Sequence, residues 1–454
     1  MPVSIGQARD ILRRQSGGEA PELLAHRLAP VSPEERAIPA SVPKPLAWAA
    51  EARDERIAFL EARGFPLPHL AGRAPQADPA ALQGNIEQFI GMTQIPTGLI
   101  GPLRVNGLHA SGDFYVPLAT SEGALVASYH HGARLATRAG GVACLTTTEQ
   151  VQRAPGFAFD TLADAALFAA WAQGEFERFQ AAAAAKTSHG CLTDLMTHIE
   201  ANHVYLIFAF HTGDAAGQNM VTFCTAAICE EILQHTPVPP KYWFLEANMS
   251  GDKKATALSF HHTRGRNVKA EVILPRRLVI RGLHTTPERM CDYWRMSFIG
   301  GALTGSIGVN GHVANGIAGL FLACGQDVAC VSEATTGVTR LELTDSGDLY
   351  CGLTLPNLIV GTVGGGTRLT TASECLRILG CEGSGHAGKL AEICAATALA
   401  GEISIVGSLC AGDFAGAHER LGRHGEAGHE HEGRGRAARG RSPGRRYTGP
   451  PATR

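Results

Sequence analysis

The stretch GSIGVNGHVANGIAGLFLACG, residues 305–325, sets the strongest limit on what this chain can become. Its apolar residues fall on nearly every side of a 3.6-residue repeat, so a helix built from it has no face that can rest in water. It reads as a long buried helix, and a large domain must surround it. A chain of 454 residues can supply that wrapping and exceeds what one simple core encloses, which points to two or three domains. Its 54 glycines imply many tight turns or close backbone approaches, as in an enzyme that cradles a ligand.

The remaining segments distribute around that helix. Residues 1–86 read as a helical N-terminal region, because LAWAAEARDERIAFLEARG places apolar residues at helical spacing between charges. Ile86 to Gly107 holds two prolines and four glycines and reads as a structured loop or short-strand region. VPLATSEGALVASYHHGARLATRAGG reads as a helix with Glu122 in its first turn and Gly140 and Gly141 at its end. From about Pro155 to Leu245, an alanine-rich helix gives way to a β-branched run, a glycine-bearing turn and another helix, the pattern of a small separate α+β domain. The expected fold is α+β: a large domain over 87–154 and 245–421 around the buried helix, with a small domain inserted at 155–244. Residues 422–454 are Gly, Arg, His and Pro with little to bury, and read as a disordered basic tail.

Composition removes several function classes. A formal charge of -2 with a pI near 6.8 leaves no global basic field for nucleic acid. The 12 cysteines lie in apolar surroundings without a CxxC pair, and no signal sequence opens the chain, so they read as reduced thiols in the cytoplasm. No run of 18 or more apolar residues marks a membrane span, and no ligand cluster calls for a metal.

Within SGDKKATALS, two lysines stand side by side next to an aspartate. Either Asp252 caps a helix and Lys253 and Lys254 lie in water, or one lysine is a cation waiting for an anion that forms only during a reaction. Three other stretches join it: ATSEGALVAS with Glu122, ACGQDVAC with Asp327, and AGAHERLGR with His418. Glu122 either complements a helix dipole or does chemistry. Asp327 follows the glycine that ends an apolar helix, where the dipole disfavours a carboxylate, so it wants a cation or a proton. The turn HTGDAAGQNM, between a strand and a helix, can offer backbone N–H groups to phosphate oxygens. GTVGGGTRL either admits a flat ligand or is a tight structural turn.

Taken in order, IPTGLIGPL, TSEGALVAS, GDAAGQNM, DKKA, GHVANGIAGLFLACGQD and GTVGGGT resemble the 3-hydroxy-3-methylglutaryl-CoA (HMG-CoA) reductase family in its eukaryote-like class, over about Ile86 to Leu421. The resemblance implies four-electron reduction of HMG-CoA to mevalonate and free coenzyme A, a step in isoprenoid precursor synthesis, with two NADPH and NADH as a possible substitute. It makes the inserted domain ferredoxin-like and nucleotide-binding. It puts Glu122, Lys253, Asp327 and His418 in the catalytic positions. Lys253 is then the cation that stabilises each alkoxide, with Asp327 holding it charged. His418 protonates the departing thiolate, and Glu122 serves the aldehyde reduction. Substrate contacts fall to Arg153, Asp252, Lys254, Arg295, Ser128, His312 and Asn315, and cofactor contacts to Ser188, His189, Asp214, Ala216, Gly217, Asn219, Gly364 and Gly365. The family also implies a homodimer or tetramer with the active site at the subunit interface.

Several positions depart from the family pattern. His131 stands where an arginine faces the coenzyme A phosphates, which implies lower phosphate affinity. KTSHGCL leaves Lys186 and His189 as the only local cations for a 2′-phosphate, so the expected NADPH preference is under tenfold and strengthens in mildly acid solution, where histidine is charged. Arg295, Glu246 and Gln88 replace a lysine, a serine and an asparagine, changes that bear on the acyl group accepted. The C-terminal tail differs from the flap that closes the family's site. A reductase for a related acyl-CoA and a catalytically weak acyl-CoA-binding paralogue are the alternatives.

Overall fold

A computed structural model describes residues 21–75 and 78–416. His418 and the 422–454 tail lie outside the described residues. Among the described residues, ten strands form the sheet: β1 Thr97–Gly107, β2 Ser111–Ala119, β3 Val142–Arg153, β4 Gly156–Ala158, β5 Cys191–Glu200, β6 His203–His211, β7 Tyr242–Phe244, β8 Gly265–Leu274, β9 Val338–Leu343 and β10 Leu349–Leu358. Seven run side by side in the order β7-β4-β6-β3-β8-β10-β9, while β1 joins β2 to β3 and β5 flanks β6. Pairing is antiparallel except for β1 against β3. The molecule is α+β with one large, mainly antiparallel sheet.

β3 divides its length between two cores. Residues 143–150 pair with β8, whereas Val151, Gln152 and Arg153 pair with β6. One apolar core extends from Ile100 to Cys144 and from Val268 to Cys410. A second lies between Val151 and Ile232, built from Phe157, Phe159, Phe168, Phe179, Phe208 and Phe210 among others. Arg153 therefore sits at the junction of the two.

The central helix is not the one the composition suggests. Residues 305–325 yield only an 11-residue helix, Val313–Ala323. The part before it is not helical, since Gly308 turns the chain at φ 88° and Val309 bridges to Val338. Asn310 fastens this loop by donating to the Thr335 and Gly337 carbonyls, bonds a helix would forfeit. The long buried helix is Ala387–Ala411, 25 residues capped by Gly412 in the left-handed conformation. It is long and apolar enough to cross a bilayer by composition, yet 83% of that stretch is buried inside the protein. Glu392 and Glu402 interrupt its apolar sequence, and both are buried. Glu392 accepts the His109 and Ala110 N–H groups, each at 2.8 Å. Glu402 accepts those of Gly311 and His312, each at 2.6 Å. Burial pushes both carboxyls up to about 7 against these bonds.

Small residues let the Leu125–Arg138 helix lie directly on this central one. A Cβ on Gly132 would stand 1.8 Å from the Ala400 carbonyl oxygen. Gly132→Ala should therefore force the helices apart and cost about 3 kcal/mol in urea denaturation, the upper part of the range for overpacked cores. A loss below about 0.5 kcal/mol would show that the contact yields freely.

One further expectation is corrected. Between 21 and 86 the described helices are only Pro21–Leu28, Ala50–Glu61 and the short Pro79–Leu82, because prolines at 30, 33, 39, 43, 45, 66 and 68 interrupt the chain. Ile86 to Gly107 ends in an 11-residue strand, β1, whose bulge between Ile100 and Leu103 absorbs Gly101 and Pro102.

Candidate active site

Lys253 lies in a turn, not at the head of a helix, so Asp252 is no helix cap. The turn holds Lys253 at φ 55°, a conformation that side chains with a Cβ seldom adopt. Two contacts fix it: the Lys253 N–H donates to Glu333 Oε1 at 3.2 Å, and the Lys254 N–H donates to the Gly251 carbonyl at 3.2 Å. From there Lys253 Nζ reaches Asp327 Oδ2 at 2.9 Å. The cation that Asp327 wanted is thus Lys253. The hydrogen bond to Asp327 raises the lysine's pKa against partial burial. Burial works to raise Asp327, but bonds from Lys253 Nζ, the Ala329 N–H and Gln218 prevail and hold it below the usual carboxylate range.

Behind this pair lies a buried knot of charges. Asp252 pairs with Arg264 through Oδ1 and with Arg153 through Oδ2, the latter at 3.1 Å. Arg264, 1% exposed, also donates through Nε to Glu333 Oε2 at 2.9 Å and through Nη1 to the Gln152 carbonyl at 3.0 Å. Burial pushes Glu333 up to about 7 even beside that guanidinium. Arg153 meets a second carboxylate, Glu246 Oε2, at 3.2 Å. Arg153 and Asp252 are accordingly engaged with each other and with neighbours in the protein. Lys254 is exposed, its ammonium donating to the Asp252 carbonyl at 3.0 Å.

A groove of about 750 Å³ gathers a different subset: Glu122, Ser128, His131, His312 and Asn315 line it, with Ser404 from the central helix. Glu122 lies before the Leu125–Arg138 helix, not in its first turn, because Ala124 takes φ 68° and breaks the path. Ser128 Oγ donates to Ser404 Oγ at 3.2 Å. Tyr129 Oη donates to the His312 carbonyl and accepts the Gly316 N–H, both at 2.8 Å, and its ring packs on the imidazole at 4.8 Å between centroids. Burial lowers the pKa of His312. Lys253 and Asp327 do not line this groove. Arg295 joins neither group; it lies exposed on Pro287–Leu303, paired with Asp292 one turn away, because that face of the helix points away from the core.

The expected cofactor residues fall into neighbouring loops. Ser188 and His189 lie in the exposed loop before β5, where Ser188 Oγ and His189 Nδ1 are 3.1 Å apart. β5 pairs Cys191 with His211, which brings that loop beside the 212–217 turn. Gly217 caps the Gln218–His235 helix at φ 77°, and a Cβ there would stand 2.3 Å from Thr212. Ala216 faces Gly361, where a Cβ would come within 2.5 Å of the Ala216 nitrogen, so the 361–365 segment abuts the same turn. Gly364 and Gly365 follow in that segment, and Asn219 is exposed in the first turn of the helix. Asp214 is occupied otherwise: its carboxylate accepts the Gly385 and Ala387 N–H groups, at 2.6 and 3.1 Å, at the head of the central helix. Three residues that join these parts escaped the sequence reading. Arg264 and Glu333 are ordinary charged residues until the fold buries them, and Gln218 touches Asp327 across 109 positions of chain.

The sequence profile described as hydroxymethylglutaryl-coenzyme A reductase matches residues 52–423. This chain belongs to that family. Among curated HMG-CoA reductases it is 43% identical over 369 residues to that of Pyrococcus abyssi, covering 79% of this chain and 90% of the relative. It is 40% identical over 378 residues to that of Methanocaldococcus jannaschii, covering 82% and 93%. A solved class II HMG-CoA reductase from Streptococcus pneumoniae, bound to NADPH, superposes with a TM-score of 0.63 at 19% identity, over 80% of this chain and all of the other, a likeness of fold. As a member of the HMG-CoA reductase family, the chain is an oxidoreductase.

Proposed function

We propose that this protein reduces HMG-CoA to mevalonate and free coenzyme A with NADPH. The observation that carries the proposal is the Lys253–Asp327 pair, held at 2.9 Å and tied through Gln218 to the glycine turn at a helix N-terminus. A bound reduced nicotinamide supplies the hydrides that a thioester needs to become an alcohol. The residues of the 212–217 turn, with Asn219, Ser188, His189, Gly364 and Gly365, would hold it. They suit the task, since the turn and helix head offer backbone N–H groups and the glycines leave room for a ligand. Asp214 would act by fixing the turn to the central helix. Lys186, an exposed cation, and His189, an exposed imidazole, lie in the adjoining loop, consistent with NADPH preferred over NADH by less than tenfold.

Lys253 stabilises negative charge at the carbonyl oxygen in each reduction, and Asp327 keeps the ammonium charged and in place. His418 protonates the coenzyme A thiolate as it leaves. Glu122 donates the proton to the aldehyde oxygen. Ser128, His312 and Asn315 line the groove assigned to the coenzyme A arm, and exposed Lys254 meets the substrate's free carboxylate. Arg295 stays a proposed substrate contact only through another subunit. The Glu122 groove and the Lys253 pair are separate in one chain, which fits an active site shared in a homodimer or tetramer. Exposed Ile86 and Ile90, and the Met296, Phe298, Ile299 and Leu303 face, suit such contact. The eukaryote-like subclass rests on motif order and on 34% identity to a Dictyostelium discoideum reductase. The archaeal relatives and the class II fold neighbours do not single it out. A division into large, inserted and N-terminal domains follows the separate apolar cores, and the free cysteines fit the cytoplasm.

Purified protein should oxidise NADPH only when HMG-CoA is added, with NADH less than tenfold poorer in kcat/KM. Binding of HMG-CoA without oxidation of either nucleotide would replace this reading by that of an acyl-CoA-binding paralogue.

A further inference from the structure

We propose that Gln218 is a positioning residue that couples the glycine turn to the catalytic ion pair; the inference rests on the reading of Lys253 and Asp327 given above. Its Nε2 donates to Asp327 Oδ2 at 3.3 Å, the same oxygen that receives Lys253 Nζ, and to Cys330 Sγ at 2.9 Å. The amide is therefore oriented by two fixed partners, one of them wholly buried Cys330. At its other end, the Gln218 carbonyl accepts Thr222 Oγ1 at 2.8 Å and Arg153 Nη2 at 3.4 Å. Gly217 immediately before it packs on Thr212 so closely that a Cβ there would stand 2.3 Å from that side chain. A side chain held at both ends transmits displacement: a ligand that moves the 212–217 turn moves the amide, and with it the carboxylate that anchors the ammonium.

The Asp327 carboxylate accepts three donors in this arrangement. Oδ1 caps Ala329 at 3.0 Å, while Oδ2 carries Lys253 and Gln218. Among the described residues, the other charged or titratable groups around the pair are Asp252, Cys330, Glu333 and Arg264. A donor removed from Oδ2 leaves the carboxylate easier to protonate, and a protonated Asp327 no longer anchors a cation.

Gln218→Met keeps the length and removes the donor. It should lower kcat about tenfold, leave KM for HMG-CoA within about twofold, and shift the acid limb of the kcat profile to higher pH. Gln218→Glu sets a second carboxylate against Asp327 and should shift that limb further in the same direction. Wild-type kcat with an unmoved acid limb in Gln218→Met would overturn the proposal. A fall in kcat with an unmoved limb would also overturn it, since that is what a merely structural role gives. The coupling is separable from the HMG-CoA reading by 13C NMR titration of Asp327, assigned with Asp327→Asn, which needs no substrate. Asp327 should titrate at higher pH in Gln218→Met than in the wild type, and identical titration curves would refute the coupling even if the enzyme proves to reduce HMG-CoA.

Discussion

Lys253→Ala is expected to lower turnover by at least 100- to 1,000-fold, with HMG-CoA affinity changed far less. The expectation follows from where the ammonium stands and from what charge the reaction develops. A thioester carbonyl binds neutral and becomes an alkoxide only as hydride arrives, so a preplaced cation lowers the barrier more than it tightens substrate binding. Removal of one such donor typically costs about 100- to 1,000-fold, and the proposed role calls on this lysine at both carbonyl reductions. The protein spends backbone strain to present it, since Lys253 sits at φ 55° under the hold of Glu333. Single-turnover reduction and equilibrium binding measured on the same variant separate the two effects. Near-normal turnover, or a loss confined to binding, would remove Lys253 from the chemistry.

Arg264→Met is expected to destabilise the fold by about 3–5 kcal/mol at pH 8 and by clearly less at pH 6. Breaking a buried ion pair by deleting one partner leaves the other uncompensated, which costs about that much. Arg264 is partner to two carboxylates, Glu333 and Asp252, and Glu333 is wholly buried. The pH dependence has a definite sign. Glu333 has its carboxyl raised from 4.5 to about 7 in the fold, so what its protonation contributes to stability is complete below about pH 4.5 and lost as pH rises through about 7. Without the guanidinium that carboxyl moves higher still, and at pH 8 the variant must either bury a bare anion or hold a proton against the solution. At pH 6 the group is already largely protonated, so less is lost. Chemical denaturation at the two pH values tests this, and equal deficits would show that Glu333 keeps one protonation state in both proteins.

Much of the site could be read before the fold was known, for physical reasons that differ between residues. Asp327 announced its need for a partner because a carboxylate just past a helix C-terminus is poorly placed, and Lys253 answers it. The 212–217 turn was legible because a strand, glycines and a helix follow in sequence, and local order alone determines it. The central helix was not legible. Ala387–Ala411 carries Lys389, Glu392 and Glu402, which break an apolar run, and loops 90 or more residues away supply the N–H groups that let the glutamates be buried. The 305–312 segment misled in the opposite sense, since its apolar residues serve an extended loop pinned by Asn310. Arg153 was expected among the substrate contacts, yet Glu246 and Asp252 already face it. That competition arises from tertiary neighbours and has no local signature.

The central claim is that this ion pair serves two successive reductions of one HMG-CoA. Counting products in a single reaction mixture tests it most directly: NADPH consumed, coenzyme A thiol released and mevalonate formed should stand at 2:1:1, and a ratio of one NADPH per thiol with aldehyde as the end product, or thiol release without NADPH consumption, would contradict it.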